Sequence, residues 1–312
     1  MTQYFFRRLI QAIPVIFGVI IITFILMYII PGDPVISMVG ERYSEDTIDH
    51  LRKEMNLDKP LPMQFINYVL NILQGDLGNS FITGEPVSTM IMEKFPNTMT
   101  LAVAAMLFAV IFGISLGILS STSPGSFLDK SIMILALTGI SAPVFWVGLI
   151  LVLVVGVILQ WLPPTGYGGI EYIILPAIAL GSRSSAYLAR LTRATMLEEL
   201  NKDYIRTARS KGLSKWSIYY KHAFPNTLIP VITVIGTDFG SYLSGAVLTE
   251  SIFGWPGIGR LALDAIMKRD FPVIQGTILL MALMFVLMNV IIDILYGVVD
   301  PRIRMERSSS SE

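Results

Sequence analysis

Apolar residues in this chain are concentrated in long, nearly uninterrupted runs. A helix needs about 20 mostly apolar residues to cross the hydrocarbon core of a bilayer, because it rises roughly 1.5 Å per residue through a layer about 30 Å thick. Six runs reach that length: 9–30, 99–120, 132–159, 172–191, 228–248 and 274–298. The pattern therefore predicts an all-α membrane protein with six transmembrane helices.

Two of these runs have additional features. The third is longer than one crossing requires and contains Pro143, which predicts a kink or an initial interfacial turn. The first follows Arg7 and Arg8, as the apolar part of a secretory signal would, but it is too long for one and lacks a small-residue cleavage site. We therefore expect the first run to be retained as a helix.

Lys and Arg are distributed unevenly among the segments that join the runs. If the N-terminus lies inside the cell, most of them fall in cytoplasmic segments, and the short opposite loop at 160–171 has none. Because short cytoplasmic loops retain Lys and Arg, both termini are predicted to be cytoplasmic. The chain then divides into an N-terminal helix with a long extracytoplasmic segment (1–94), a core of five helices (95–305) and a polar tail (306–312).

The long segment before the second run carries two amphipathic patterns. In the first, Ser44 can cap a helix whose apolar positions are Ile48, Leu51 and Met55. In the second, apolar side chains recur at helical spacing over residues 65–73. Both patterns predict helices that lie on the membrane or against the bundle.

Composition narrows the chemistry that the chain can perform. Hydrophobic residues make up 53% of it, and its mean hydropathy of +0.65 suits a chain whose solvent is largely lipid. Acidic and basic residues balance at 23 each, so no basic excess points to nucleic acid. With no Cys and two His, disulfides, thiolate catalysis and Cys-rich metal sites are excluded. The absence of any Gly-Lys dipeptide excludes a Walker A phosphate loop, so we expect no cofactor, no metal and no catalysis in this chain.

The segment 190–226 between the fourth and fifth runs predicts a helix-turn-helix hairpin. One helix would end near Lys211, Gly212 would take the left-handed conformation, and Ser214 would cap a second short helix. Pro225 would end that helix or open the next span. Two other interpretations are a positively charged loop without a partner and a DNA-binding hairpin, which tethering between two membrane helices disfavours.

This hairpin resembles the signature loop of the permease subunits of binding-protein-dependent ABC importers. That loop reads Glu-Ala-Ala, three residues, Gly, nine residues, Ile-x-Leu-Pro. Here Ala208, Gly212 and Pro225 match it, and Phe224 replaces the Leu. The positions that depart from it are Arg206, Thr207 and His222. The version Arg-Thr-Ala-Arg-x-Lys-Gly-Leu-Ser is similar to the branch that imports dipeptides and oligopeptides, with close relatives for nickel and glutathione.

The resemblance extends over nearly the whole chain. It includes Ile30-Pro31-Gly32-Asp33-Pro34, Gly75-Asp76-Leu77-Gly78, Phe95-Pro96, Pro143-x-Phe145-Trp146-x-Gly148, Phe253-x-Trp255-Pro256-Gly257-x-Gly259-Arg260 and Asp300-Pro301-Arg302. It implies a type I ABC importer permease fold in the bacterial cytoplasmic membrane, with five core helices and an extra N-terminal one. The implied partners are a second homologous permease, two ATPase subunits that bind ATP and Mg, and an extracytoplasmic peptide-binding protein.

Three groups of residues are candidates for function within this resemblance. The coupling loop to the ATPases would use Arg206, Thr207, Ala208, Gly212, Leu213, Trp216 and Pro225. Contact with the binding protein would use Phe253, Trp255, Pro256, Gly257 and Arg260, where turn residues surround apolar side chains on the extracytoplasmic side. The alternative for this second group is that its side chains seal the outer mouth of the pore.

The third group lies within the spans, where a charge at the bilayer centre costs at least roughly 2.5 to 3.5 kcal/mol. Asp238 should therefore face a water-filled pathway or a partner such as Arg183, unless it lies near the end of its span in ordinary solvent. The candidate path residues are Arg183, Asp238, Gly240 and Ser241. An ATP-independent carrier would need more paired ionisable groups than these spans carry.

Overall fold

The computed structural model describes residues 2–29, 52, 58–244 and 246–299, with side chains for 10–28, 52, 58–244 and 246–292. The helix that Ser44, Ile48, Leu51 and Met55 predict lies outside the described residues. The described part is helical, and its β-structure is limited to an isolated bridge between Asn79 and Pro86. The all-α prediction is confirmed for this part of the chain.

The helices of the described part are named here in chain order. They are α1 (Thr2–Ile29), α2 (Leu61–Leu73), α3 (Val87–Ser121), α4 (Phe127–Ser141), α5 (Val144–Ile158), α6 (Glu171–Leu200), α7 (Asp203–Ser210), α8 (Lys215–Leu243), α9 (Val247–Phe253), α10 (Ile258–Lys268) and α11 (Phe271–Val299). Two of them contain π-helical turns, at Val152–Ile158 in α5 and at Ile218–Ala223 in α8.

Helices α1, α3 and α11 are long and apolar enough to cross a membrane, and the bent pairs α4–α5 and α8–α9 raise the number to five among the described residues. Helix α6 covers the fourth predicted span and is 30 residues long, but it is too polar to meet the same criterion. The count of six spans and the cytoplasmic location of both termini therefore remain predictions.

The predicted kink at Pro143 is confirmed, because α4 and α5 meet there at 106°. Proline disfavours helical backbone in the residue before it. Accordingly, Ala142 is extended at ψ 130° and ends α4, while Pro143 precedes the first turn of α5. The fifth predicted span, 228–248, contains a bend: α8 ends at Leu243, and α9, which begins at Val247, continues at 60° to it.

The centre of the bundle is the packing of α3 against α6, where small residues allow the two backbones to approach closely. Ala102, Ala105 and Ala109 of α3 are fully buried. A Cβ added at Gly113 would lie 2.7 Å from the carbonyl oxygen of Ser185. The letters Gly-x-Ser-x-Gly that begin at Gly113 lie inside this unbroken helix, so they do not form the strand-to-helix turn of a hydrolase nucleophile.

The amphipathic pattern over 65–73 does form a helix, α2, which begins after Pro60. Its aromatic side chains pack against α1: the ring of Phe65 lies 5.3 Å from that of Phe24, and the Tyr68 hydroxyl lies 3.2 Å from Thr23 Oγ1. Helix α1 is held to α11 in turn by Gln275, whose Nε2 donates to the Thr23 carbonyl over 3.1 Å. These contacts place α2 against the bundle.

Candidate functional site

The hairpin has the local geometry that its sequence predicts. Helix α7 ends at Ser210, and Gly212 follows with φ +75°, a conformation that favours glycine. The amide of Leu213 donates back to the Ala208 carbonyl, and Ser214 Oγ accepts from the amide of Ser217 as the cap of α8. The turn is therefore fixed by backbone bonds and a side-chain cap.

One face of the hairpin is anchored in a small hydrophobic cluster. Its buried members come from α6, α7 and the start of α8: Met196, Leu200, Ile205, Ala208, Ile218 and Ala223. Ala208 thus serves packing rather than contact with a partner. On the opposite face Arg206, Thr207 and Leu213 are exposed, and the indole of Trp216, 62% exposed, stacks on the ring of Tyr220 with centroids 5.6 Å apart.

Glu199, at the end of α6, ties the hairpin to that helix. Its carboxylate forms an ion pair with Lys202 and accepts a hydrogen bond of 2.6 Å from the Tyr204 hydroxyl. Burial raises the pKa of Glu199, but the hydrogen bonds from Lys202 and Tyr204 outweigh this effect and hold the pKa below its ordinary value. The group therefore stays ionised at neutral pH.

Pro225 lies in the first turn of the α-helical segment Phe224–Leu243, directly after the π-helical turns of α8. It opens the span rather than ending the hairpin helix, which runs on through it. In π-helical turns a backbone amide donates to the carbonyl five residues earlier, one more than in an α-helix. The Phe224 amide, for example, donates to the Tyr219 carbonyl. A continuous helix from Lys215 to Leu243 joins the hairpin surface to the membrane core.

An ion pair between α6 and α4, close to the hairpin, was not predicted from the sequence. The Arg193 guanidinium donates to both oxygens of Asp129 over 2.6 and 2.8 Å, and the same carboxylate accepts from the Gly125 amide and from Ser120. Asp129 is buried, so this bidentate pair fixes the start of α4 to α6. Both charged residues are visible in the sequence, but they lie 64 residues apart, so no local pattern predicts that they pair.

Arg183, Asp238 and Ser241 line one cavity of about 710 Å³ between α6, α8, α9 and the α4–α5 bend. Its wall also carries polar side chains at Ser184, Tyr187, Thr233, Thr237, Tyr242 and Thr249. The Tyr242 hydroxyl donates to Ser184 Oγ over 2.5 Å and so joins α8 to α6 at the cavity wall. Asp238 thus faces a cavity, and its role in a water-filled pathway stays a prediction.

Gly240 does not line this cavity, which corrects its inclusion among the path residues. It is buried on the opposite face of α8, where an added Cβ would lie 3.1 Å from Met288 Cβ on α11. Residues two apart on a helix point in different directions, so Asp238 and Gly240 cannot share a face. Gly240 serves the packing of α8 against α11.

The structure also corrects the expectation that Phe253 and Trp255 present apolar groups to a binding protein. Their side chains are 1% and 3% exposed. The Trp255 indole donates to the Asn97 carbonyl over 2.9 Å, and Phe253 packs in a cluster with Leu175 and Ala179 of α6. Pro256 and Arg260 are partly exposed, and Gly257 is buried.

A buried carboxylate that the sequence analysis did not identify organises this segment. Glu250 is fully buried; it accepts from Thr98 Oγ1 of α3 over 2.7 Å and from the Arg260 amide over 2.9 Å. Thr98 accepts in turn from the amide of Ile258. The first amides of a helix lack partners within it, and a Glu250 oxygen accepts from that of Arg260, so Glu250 caps α10 from α9.

Comparison with known proteins identifies the chain. Residues 110–305 match the family model of the binding-protein-dependent transport system inner membrane component, and residues 1–102 match the model of its N-terminal part. The Di/tripeptide transport system permease protein DppB of Pseudomonas aeruginosa is 44% identical and covers 98% of this chain and 100% of its own. The dipeptide transport system permease protein DppB of Escherichia coli K12 is 41% identical with the same coverage.

The fold is shared with solved inward facing structures of the MetNI methionine ABC transporter. One of them superimposes with a TM-score of 0.58 at 16% identity and covers 68% of this chain and 96% of the solved one. The likeness supports the type I permease fold expected from the sequence, whereas the family models and the two relatives establish the membership. The chain belongs to the family of inner membrane components of binding-protein-dependent transport systems.

Proposed function

We propose that this chain is one of two pore-forming permease subunits of an ATP-driven importer of peptides. Relatives of 44% and 41% identity are named di/tripeptide and dipeptide permeases, which supports peptides as the cargo. The chain would pair with a second, homologous permease and receive peptide from an extracytoplasmic binding protein. Two partner ATPases, which bind ATP and Mg, would supply the energy.

The observation that carries this proposal is the hairpin. Its inner face is packed on the ends of α6 and α8, while its outer face carries exposed Arg206, Leu213 and Trp216 around Gly212. A rigid element that is fixed to two membrane helices and presents basic and apolar groups can pass the movement of a docked partner to those helices. The basic groups would meet acidic groups on the ATPase.

Gly212→Leu tests the docking. No atom lies within 4 Å of an added Cβ at Gly212, so a side chain meets open space in the chain alone and would obstruct only an approaching partner. Its left-handed φ adds a strain of about 1 kcal/mol. Gly84→Leu is the matched control, because Gly84 has φ +73° and equally open surroundings but lies between α2 and α3.

We expect both variants to insert into the membrane in normal amounts. Gly212→Leu should lose co-purifying ATPase and peptide uptake by about tenfold or more, since each factor of ten needs only about 1.4 kcal/mol of lost contact. Gly84→Leu should keep both. Full ATPase retention and wild-type uptake in Gly212→Leu would refute the assignment of the hairpin, and equal losses in the two variants would attribute the effect to backbone strain.

A further inference from the structure

Arg183 and Asp238 place two opposite charges in the cavity. Among the residues that the structure describes, neither Arg183 nor Asp238 takes part in an ion pair or a side-chain hydrogen bond. Both line the same cavity as Tyr242. Ionisable groups within membrane segments usually face a partner or a functional space, because a charge exposed to lipid is costly.

The two charges are carried by α6 and α8, which are in contact at the cavity wall. Arg183 adjoins Ser184, whose hydroxyl is bonded to Tyr242. Asp238 precedes Tyr242 by four residues, which is about 6 Å along a helix. Arg183 and Asp238 therefore enter the cavity from α6 and α8, the two helices that the bond between Tyr242 and Ser184 holds together.

We propose that Arg183 and Asp238 bind the two termini of a short, unmodified peptide during its passage, Arg183 the α-carboxylate and Asp238 the α-ammonium. This inference rests on the proposed function as a peptide importer. A free peptide is zwitterionic at neutral pH, because the ordinary pKa is roughly 3.3–3.7 for its α-carboxyl group and roughly 7.7–8.0 for its α-amino group.

Other classes of ligand fit the site less well. An anion would be attracted by Arg183 but repelled by Asp238. A cation would be attracted by Asp238 but repelled by Arg183. The described residues contain no group of three His, Cys, Asp or Glu side chains that could hold a metal ion. A cavity of about 710 Å³ lies within the usual range of volumes for small-ligand sites. The hydroxyl groups on its wall can form hydrogen bonds with backbone amides, which a peptide of any sequence carries.

The test uses the complete transporter reconstituted in liposomes, with radiolabelled alanyl-alanine as the probe. Asp238→Asn and Arg183→Gln each remove one charge while keeping similar size. We expect either to lower uptake by about tenfold or more, as for loss of one charge-assisted hydrogen bond, while ATP hydrolysis stimulated by the binding protein continues. Asp238→Glu and Arg183→Lys should recover part of the uptake.

Glu171→Gln is the matched control, because it neutralises an exposed carboxylate on α6 outside the cavity and should leave uptake unchanged. Wild-type uptake in Asp238→Asn and Arg183→Gln would overturn the inference. So would joint loss of uptake and stimulated ATP hydrolysis, which would show that the charges support the fold or the coupling. A complete transporter that does not import the dipeptide at all would refute the proposed function, and the inference with it.

Discussion

At the scale of single residues, Glu250 explains why two glycines flank the start of α10. An added Cβ at Gly257 would lie 2.2 Å from Glu250 Oε1, and one at Gly259 would lie 2.7 Å from Val247 Cα and 3.0 Å from Glu250 Oε2. The carboxylate cannot move aside cheaply, because it is held by Thr98 and by the Arg260 amide. The absence of side chains at these positions makes room for a buried carboxyl group that joins α3, α9 and α10.

Gly257→Ala should therefore destabilise the protein by about 1–3 kcal/mol, the usual cost of forcing a methyl group into a packed site. Its φ of −99° suits alanine, so the loss would come from the clash with Glu250 and not from backbone strain. Thermal unfolding of the purified protein in detergent measures it. Gly18→Ala, with no atom within 4 Å, should melt like the wild type; equal melting of the two variants would contradict the role of Glu250.

Residue-level prediction from the sequence succeeded where the determinants are local. Gly212 and Ser214 act on backbone within four residues of themselves, so the hairpin turn could be predicted from the order of residues alone. Trp255 and Phe253 could not be placed, because their surroundings come from residues about 70 to 160 positions earlier. A run of turn residues shows that the chain bends but not which side chains point inward.

At the scale of helices, the close packing of α3 on α6 depends on small residues at regular spacing. Gly113 and Gly117 lie one turn apart on α3, and added Cβ atoms there would lie 2.7 Å from the carbonyl oxygens of Ser185 and Ala189. A Gly-x-x-x-Gly pattern in an apolar helix predicts such an approach. The pattern is visible in the sequence, whereas the partner helix becomes known only from the structure.

Gly113→Leu should separate these helices and prevent a stable bundle, with a much lower yield of monodisperse protein in detergent. The physical reason is that the Leu side chain would overlap backbone atoms, which cannot change rotamer. Gly18→Leu is the control, since Gly18 also lies in an apolar helix but its surroundings are open. Normal yield and melting of Gly113→Leu would show that α3 and α6 can pack without close contact here.

At the scale of the whole molecule, the orientation in the membrane rests on the distribution of Lys and Arg. The hairpin surface carries Arg206, Arg209, Lys211 and Lys215, all exposed. Short segments rich in such residues stay in the cytoplasm. In the chain, helix α10 follows the pair α8–α9, whereas Lys211 precedes that pair. Met267 of α10 is 78% exposed. If the bent pair α8–α9 forms one span, Lys211 and Met267 lie on opposite sides of the membrane.

Because the chain contains no Cys, single cysteines report their location without background. We expect a membrane-impermeant maleimide to label Met267→Cys in intact spheroplasts and to label Lys211→Cys only after the membrane is permeabilised. Labelling of both from outside would show that α8–α9 re-enters on the same side and that the count of six spans is wrong. The reverse pattern would place the hairpin outside, where ATPase subunits in the cytoplasm could not reach it, and would refute the coupling role of Gly212.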